Sequence, residues 1–330
     1  MRPVVGIPRA LSFYLYYPLW RAFLEGLGAE VVVSPPTGRR ILRDGLAALG
    51  GDVCLPVKVA AGHLLALASR VDFLFLPRMV SAARREYACP KLMGLPEVVR
   101  HSMNLPPLLA PDIDRYRRDH WPLYRVALAV GRRFNRSVPA VLAAYRRAVG
   151  CYQRYRRLLE QGHGPDQAAE AALAGRELPP PPAAGRAVAL LGHPYTVYDQ
   201  EISLDLAGRL ARAGLGVRTA EQVPEAAARR AAAGLPKHLF WTAGQQVVGA
   251  AFHYLAGGTV AGMISVMSFG CGPDSMTGEL VARRARQVGR MPHLGLTLDE
   301  HGEESGVLTR LEAFLDMVGP AGEGGTAACG

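Results

Sequence analysis

Residues 258–275 read Gly258-Thr259-Val260-Ala261-Gly262-Met263-Ile264-Ser265-Val266-Met267-Ser268-Phe269-Gly270-Cys271-Gly272-Pro273-Asp274-Ser275. The apolar run inside this stretch has the length and bounding glycine of a strand buried on both faces, as in parallel sheets covered by helices. Cys271 closes the run. Gly272 then permits positive φ, and Pro273 suits the first turn of a helix expected to continue through Glu279 and Ala282. A cysteine at the head of a helix faces unpaired N–H groups and the positive end of the dipole, which both favour the thiolate. Thiolates ligate soft metals or attack electrophiles.

The same arrangement recurs in Asp52-Val53-Cys54-Leu55-Pro56-Val57-Lys58 and Tyr87-Ala88-Cys89-Pro90-Lys91. Proline within two residues stops a preceding strand and removes a backbone donor. Any one of these cysteines alone reads as a buried apolar thiol. Three at matching strand ends point to a shared site. Cys151, in mid-helix and away from proline, reads as packing, and Cys329 belongs to a small, polar tail.

The first hundred residues alternate strand and helix. Strands are expected at Val4 to Ile7, at Glu30 to Val33, briefly before Cys54, and from Val71 to Leu76. Between them lie helices, one starting near Pro18 and ending at Gly28, others passing through Ile41 to Leu49 and through His63 to Leu67. Such alternation predicts a parallel sheet with right-handed crossovers, with ligands beyond the carboxyl ends of its strands. Pro8-Arg9, Cys54 and the run from Pro77 to Cys89 would converge there. The stretch from Arg78 to Tyr87 has no clean periodicity and reads as a long loop.

From about Pro106 the sequence turns to Leu, Ala, Tyr and Arg at helical spacing, up to the joint Pro179-Pro180-Pro181-Pro182. A second α/β region then restarts with Ala187 to Leu191 and Gly192-His193-Pro194-Tyr195, mirroring Gly6-Ile7-Pro8-Arg9. It continues through a helix from Ile202 to Ala213, a strand at Val217 to Thr219, the Cys271 strand, a strand at Pro292 to Leu298 ending on Asp299-Glu300-His301, and a helix from Val307 to Val318. The expected architecture is α/β: two Rossmann-like parallel-sheet domains, 1–105 and 186–318, facing each other with a helical domain at 106–185 between them and a disordered tail at 319–330.

With 330 residues and 49% hydrophobic content the chain can bury more than one core. No run reaches the roughly 18 to 20 apolar residues that cross a bilayer, and no signal peptide is visible, so a cytoplasmic protein without a membrane partner is expected. Five cysteines are too few, and odd in number, for a secreted disulfide framework. The net charge of +10 is carried almost wholly by arginine, because Lys58, Lys91 and Lys237 are the only lysines. Twelve arginines fall between Arg115 and Arg157. They read as a solvated helix face, or as a surface for an acidic partner or for CoA phosphates, and no nucleic-acid motif accompanies them. Neither G-x4-G-K-[ST] nor a strand followed by G-x-G-x-x-G is present, so ATP hydrolysis would have to come from another protein. Zinc prefers close ligand pairs, and there is no Cys-x-x-Cys; His63, His193, His293 and His301 remain as histidines that could complete a site.

Taken together, Ile7-Pro8-Arg9-Ala10-Leu11, Glu30-Val31-Val32-Val33-Ser34-Pro35-Pro36-Thr37, Cys54-Leu55-Pro56-Val57-Lys58, Cys89-Pro90-Lys91, Phe269-Gly270-Cys271-Gly272-Pro273-Asp274-Ser275 and Leu298-Asp299-Glu300-His301 resemble the activase-associated relatives of 2-hydroxyacyl-CoA dehydratases. Those proteins are similar to the iron-sulfur subunits of 2-hydroxyglutaryl-CoA dehydratase and benzoyl-CoA reductase. The resemblance implies a 4Fe-4S cluster on Cys54, Cys89 and Cys271, with Gly270 and Gly272 letting backbone N–H groups approach it. It implies low-potential electrons from a separate ATP-hydrolysing iron-sulfur activator, and anaerobic metabolism. A small-molecule substrate such as an acyl-CoA would be reduced or dehydrated, with His193, Tyr195 and Glu300 as candidate proton donors. A dimer is compatible with the resemblance. Two other readings stay open: a non-enzymatic electron-transfer or cluster-carrying subunit, and an α/β small-ligand-binding protein whose cysteines are structural.

Overall fold

The structure is a computed structural model and describes residues 2–51, 53–116, 123–182, 185–289, 291–300 and 304–319. Its first part runs β1 (Val4–Ile7), α1 (Phe13–Gly26), β2 (Glu30–Val33), α2 (Arg39–Ala48), α3 (Leu55–Ala68), β3 (Phe73–Phe75), β4 (Arg78–Ser81), α4 (Pro90–Ser102), β5 (Leu108–Leu109) and β6 (Asp112–Asp114). Three helices follow, α5 (Leu123–Arg133), α6 (Val138–Glu160) and α7 (Pro165–Leu173). The chain then makes β7 (Ala187–Leu191), α8 (Pro194–Val197), α9 (Leu206–Arg212), β8 (Gly216–Thr219), α10 (Glu225–Ala231), α11 (Thr242–Gly257), β9 (Gly262–Ser268), α12 (Gly272–Val288), β10 (His293–Leu298) and α13 (Glu304–Val318).

The fold is α/β, as expected, and built on two parallel sheets ordered β2-β1-β3-β5 and β8-β7-β9-β10. Counted within its own sheet, each runs second-first-third-fourth. Every residue of β7 is buried, which fits a central strand covered on both faces. In such a sheet a crevice opens at the carboxyl ends of the first and third strands, where the chain's progress reverses.

Several expectations shift. The first helix starts at Phe13 and carries Pro18 inside it. A proline removes the N–H that would bond the carbonyl four residues earlier, here that of Tyr14. That carbonyl instead accepts the Tyr155 hydroxyl of α6 at 2.6 Å, so a long-range partner makes the interior proline tolerable. The stretch from Arg78 is not all loop, because β4 and β6 continue the lines of β3 and β5 beyond Pro77 and Pro111. Leu76 N–H donates to Leu109 C=O and Arg78 N–H to Pro111 C=O, both at 3.0 Å, and only the missing proline donors break the ladder. The first sheet therefore reaches past residue 105. The helices of the 106–185 region share its core: Val141, Ala144 and Ala148 of α6 lie in one cluster with Phe23 and Leu24 of α1, Leu27 just past its end and Val5 of β1. The expected tail at 319–330 lies outside the described residues except for Gly319.

Close backbone packing fixes the helix that begins after Cys54. A Cβ added at Gly62 of α3 would stand 2.0 Å from the Ile41 carbonyl oxygen, and one at Gly45 of α2 would stand 2.1 Å from that of Lys58. Only glycine at both crossing points lets α2 and α3 approach this far.

A buried polar chain joins the two halves. Arg9 N–H donates to Ser34 Oγ at 2.8 Å, and His63 lies between Ser34 Oγ (2.8 Å from Nδ1) and Thr37 Oγ1 (2.9 Å from Nε2). Thr37 O–H donates to Asp199, which also accepts from the Tyr14 hydroxyl at 3.3 Å and the Glu201 and Ile202 N–H groups at 3.1 Å. Because the Thr37 proton goes to Asp199, its oxygen is free to accept from His63 Nε2–H, leaving Nδ1 to accept from Ser34. The chain of donors is satisfied by a neutral imidazole. Burial, with Arg9 nearby, correspondingly pulls His63 down to about 4. The unfolded state then binds more protons between roughly pH 4 and 6.5, so the His63 contribution to stability is lost on acidification and regained as pH rises through that window. The predicted gain is up to about 3 kcal/mol. Burial of Asp199 acts in the opposite sense, so the difference between wild type and His63→Gln in denaturant titrations from pH 4 to 7 isolates the histidine. Parallel curves would refute the assignment.

Candidate metal centre

Cys54, Cys89 and Cys271 each occupy the residue that caps a helix. Cys54 (φ −67°, ψ 150°) precedes α3, Cys89 (φ −69°, ψ 154°) precedes α4, and Cys271 (φ −92°, ψ 103°) precedes α12, each with proline in the first two helical positions. None makes a side-chain capping bond. At Cys89 the extended backbone that proline imposes on its predecessor sets the cap, and at all three sites the ready fit of proline to a first helical turn explains why Cys-Pro and Cys-x-Pro begin helices here. Only Cys271 follows a strand of the main sheets. The strand expected before Cys54 is absent among the described residues, because the few residues between Gly50-Gly51 and Pro56 find no partner strand. Cys89 is reached through Tyr87, which makes an isolated parallel bridge with Trp241.

The three helix starts meet between the two halves. Cys54 and Cys271 belong to one apolar cluster, with Tyr195 packed against it. Gly270 has φ +72°, and a Cβ there would lie 3.9 Å from Cys54 Cα. The positive φ expected at Gly272 thus falls two residues earlier. Gly272 starts α12 with nothing within 4 Å of an added Cβ, so open space borders the cysteine turn. Lys91 Nζ donates to Gly270 C=O at 3.1 Å. Lys58 forms an ion pair with Glu300, with side chains 8% and 14% exposed.

Burial raises all three thiols. For Cys54 and Cys89 it outweighs the opposing Lys91 charge, and for Cys271 the Asp274 carboxylate adds to it. Cys54 ionisation is further opposed by Cys89, and that of Cys271 by Cys54. The helix starts favour thiolates, yet desolvation wins while nothing cationic sits among the sulfurs. These are therefore poor nucleophiles as free thiols, and a donor set that ionises against a metal.

His193 follows β7, while Cys271 and Asp274 follow β9, placing all three at the crevice position of the second sheet. His193 Nδ1 lies 3.0 Å from Asp274 Oδ1 and 2.9 Å from the Tyr195 hydroxyl. Asp274 Oδ2 also accepts Ser268 N–H at 3.1 Å. Burial alone would lower His193 and raise Asp274, but each carries the other past that effect: His193 is raised and Asp274 lowered. Burial, then Asp274 and the three thiols, keep Tyr195 protonated far into the alkaline range. Among the described residues, His193, Cys271 and Asp274 are the one set of three such ligands whose donor atoms all lie within 4.8 Å of one another.

Of the expected proton donors, His193 and Tyr195 stand beside the cysteines, whereas Glu300 is committed to Lys58. His293 bonds Ser265 Oγ at 3.0 Å, His63 belongs to the polar chain above, and Cys151 packs with Tyr155 and Leu158 of α6. His301 and Cys329 lie outside the described residues. Asp274 was not among the expected site residues, because nothing local to it announces His193, 81 residues earlier.

These features define a two-sheet α/β protein with three cysteine-headed helices converging between its halves. Residues 4–223 match the CoA enzyme activase uncharacterised domain (DUF2229), and the chain belongs to that family. No curated protein matches the chain. Among solved structures, the transcriptional regulator CelR-cellobiose complex is similar at 15% identity over 90% of this chain and 83% of that chain, with a TM-score of 0.20, a likeness that carries no argument. No described helix is long and apolar enough to cross a membrane.

Removing one partner of a buried ion pair strands the other charge. Lys58→Met is predicted to lower stability by about 3 kcal/mol, and Lys58→Met with Glu300→Leu to recover most of that loss, in chemical denaturation. Equal stability of the single variant and wild type would remove the clasp.

Proposed function

We propose that this protein is an iron-sulfur component of the 2-hydroxyacyl-CoA dehydratase system, holding a 4Fe-4S cluster on Cys54, Cys89 and Cys271. The observation that carries the reading is the meeting at three helix starts of three thiols, two buried and that of Cys89 half-buried, whose ionised forms repel one another. The donor set fits: soft sulfur ligands, backbone N–H groups of the helix starts, and open space at Gly272. When bound, such a cluster supplies one electron at low potential. A separate ATP-hydrolysing activator would provide that electron, and the substrate would be an acyl-CoA with a reducible carbonyl, a reading supported only as far as the family description names a CoA enzyme.

The chain's own residues supply the rest. The His193-Asp274 pair holds a proton on the imidazole next to Cys271, and the Tyr195 hydroxyl on Nδ1 offers a second. Both hold protons in a site that excludes bulk water, as a donor to a reduced substrate must. Lys58, bonded to Glu300, keeps α3 seated against the second half. An electron carrier without its own substrate would need the cysteines and not the proton donors.

One observation favours a second reading. The compact trio of His193, Cys271 and Asp274 suits a single divalent ion such as zinc, with three protein ligands and an open position.

Iron, acid-labile sulfide and zinc on anaerobically purified protein, with EPR after dithionite reduction, separate these readings. The cluster reading predicts about four iron and four sulfide per chain, lost or degraded in Cys54→Ala, Cys89→Ala and Cys271→Ala but retained in Cys151→Ala and Cys329→Ala. One zinc without sulfide, lost in His193→Ala and kept in Cys54→Ala and Cys89→Ala, would establish the trio instead. Turnover of an acyl-CoA by the loaded protein with activator, ATP and reductant, abolished in His193→Gln with the cluster intact, separates enzyme from carrier.

A further inference from the structure

Lys91 occupies a position where helix electrostatics disfavour a cation. It is the second residue of α4, at the positive end of the dipole, and no acidic side chain lies in that first turn. The composition sharpens the point, since only three of the 38 basic residues are lysine. Arginine presents a flat fork, whereas an ammonium is a compact charge with three donors that can serve acceptors on different sides.

Lys91 relates to all three cysteine turns. It follows Cys89 by two residues, and its Nζ donates at 3.1 Å to the carbonyl of Gly270, the residue before Cys271. The Gly270 turn that it binds stands against the third cysteine, since a Cβ added at Gly270 would lie 3.9 Å from Cys54 Cα. Lys58 is already bound to Glu300 and stands one helical turn beyond Cys54.

Resting on the cluster reading, we propose that Lys91 is a positioning residue for the three-cysteine site, tying the Gly270 turn of the second half to the head of α4 and fixing one positive charge among the sulfur ligands. Three thiolates drawn into a buried junction repel one another, and Asp274 is offset by His193 rather than by them. A fixed cation lowers the cost of holding them together. It also favours the reduced state of a bound redox centre, because reduction adds negative charge.

The test compares Lys91→Met, Lys91→Arg and, as a control, Lys237→Met in the exposed loop before α11, all as full-length protein purified anaerobically. Hydrogen exchange of residues 269–272 reads the tie, and an EPR-monitored redox titration with iron and sulfide content reads the charge. Lys91→Met is expected to speed exchange of that turn about fivefold or more and to move the midpoint potential to more negative values. Lys91→Arg should restore the potential, and Lys237→Met should change neither. Unaltered exchange in Lys91→Met overturns the tie, and an unaltered potential overturns the role of the charge. If wild type holds no iron or sulfide, the cluster reading and the charge role fall together, and exchange in the metal-free protein still decides the tie. Should Lys91→Met not fold, Lys91→Gln, polar and uncharged, carries the same comparison.

Discussion

Gathering three helix-heading cysteines at one junction, two of them buried and Cys89 half-buried, is the constraint on which the arrangement turns. Each helix start brings unpaired N–H groups and a positive dipole end, and each thiol is withdrawn from water, so none can ionise alone at modest cost. Contacts across the boundary press the halves together there. Lys58 meets Glu300, the Ser34-His63-Thr37-Asp199 chain spans the seam, and fully buried Glu86 is bonded by Arg229. Tyr87 N–H donates to Phe240 C=O, and Thr242 N–H to Tyr87 C=O, two residues from Cys89. A seam so laced with buried polar pairs holds one geometry, since slipping by one residue would strand several desolvated groups.

The repeated strand order gives that seam its content. Each sheet opens its crevice at the ends of its first and third strands, which places His193 opposite Cys271 in the second half and Pro8 beside the Pro77 turn in the first. The first sheet leaves a small, largely apolar cavity of about 30 Å³ at that point, lined by Ile7, Trp20, Phe75 and Leu92. The chemistry is correspondingly concentrated on the second sheet, with the first contributing two cysteine-headed helices from outside its own crevice. Helix α6, packed on α1, stiffens this half and reaches the second as well, where Arg156 acts on buried Glu221.

Much of this was legible along the chain. Apolar runs marked β1, β2, β7 and β9, most plainly β7 and β9, because a parallel strand covered on both faces leaves little room for polar residues. The cysteine-proline steps were visible as a repeated pattern, though strand ends were the wrong common feature; helix starts are the right one. Pro18 misled because its local meaning, a helix beginning, yields when Tyr155 supplies the missing donor. The strand from Arg78 was missed because its short alternation, with Met79 and Ser81 buried, becomes meaningful only beside β6.

The sequence by itself determined the α/β class, the two sheet-forming halves, the three cysteines that open helices and the family to which the chain belongs, since these rest on local periodicity, proline geometry and contiguous motifs. Tertiary structure alone decided which residues surround those cysteines. Pairings such as His193 with Asp274, Lys58 with Glu300 and Lys91 with Gly270 join positions 81, 242 and 179 residues apart. No local preference encodes such partners, because each is fixed only by how two sheets pack across a buried seam.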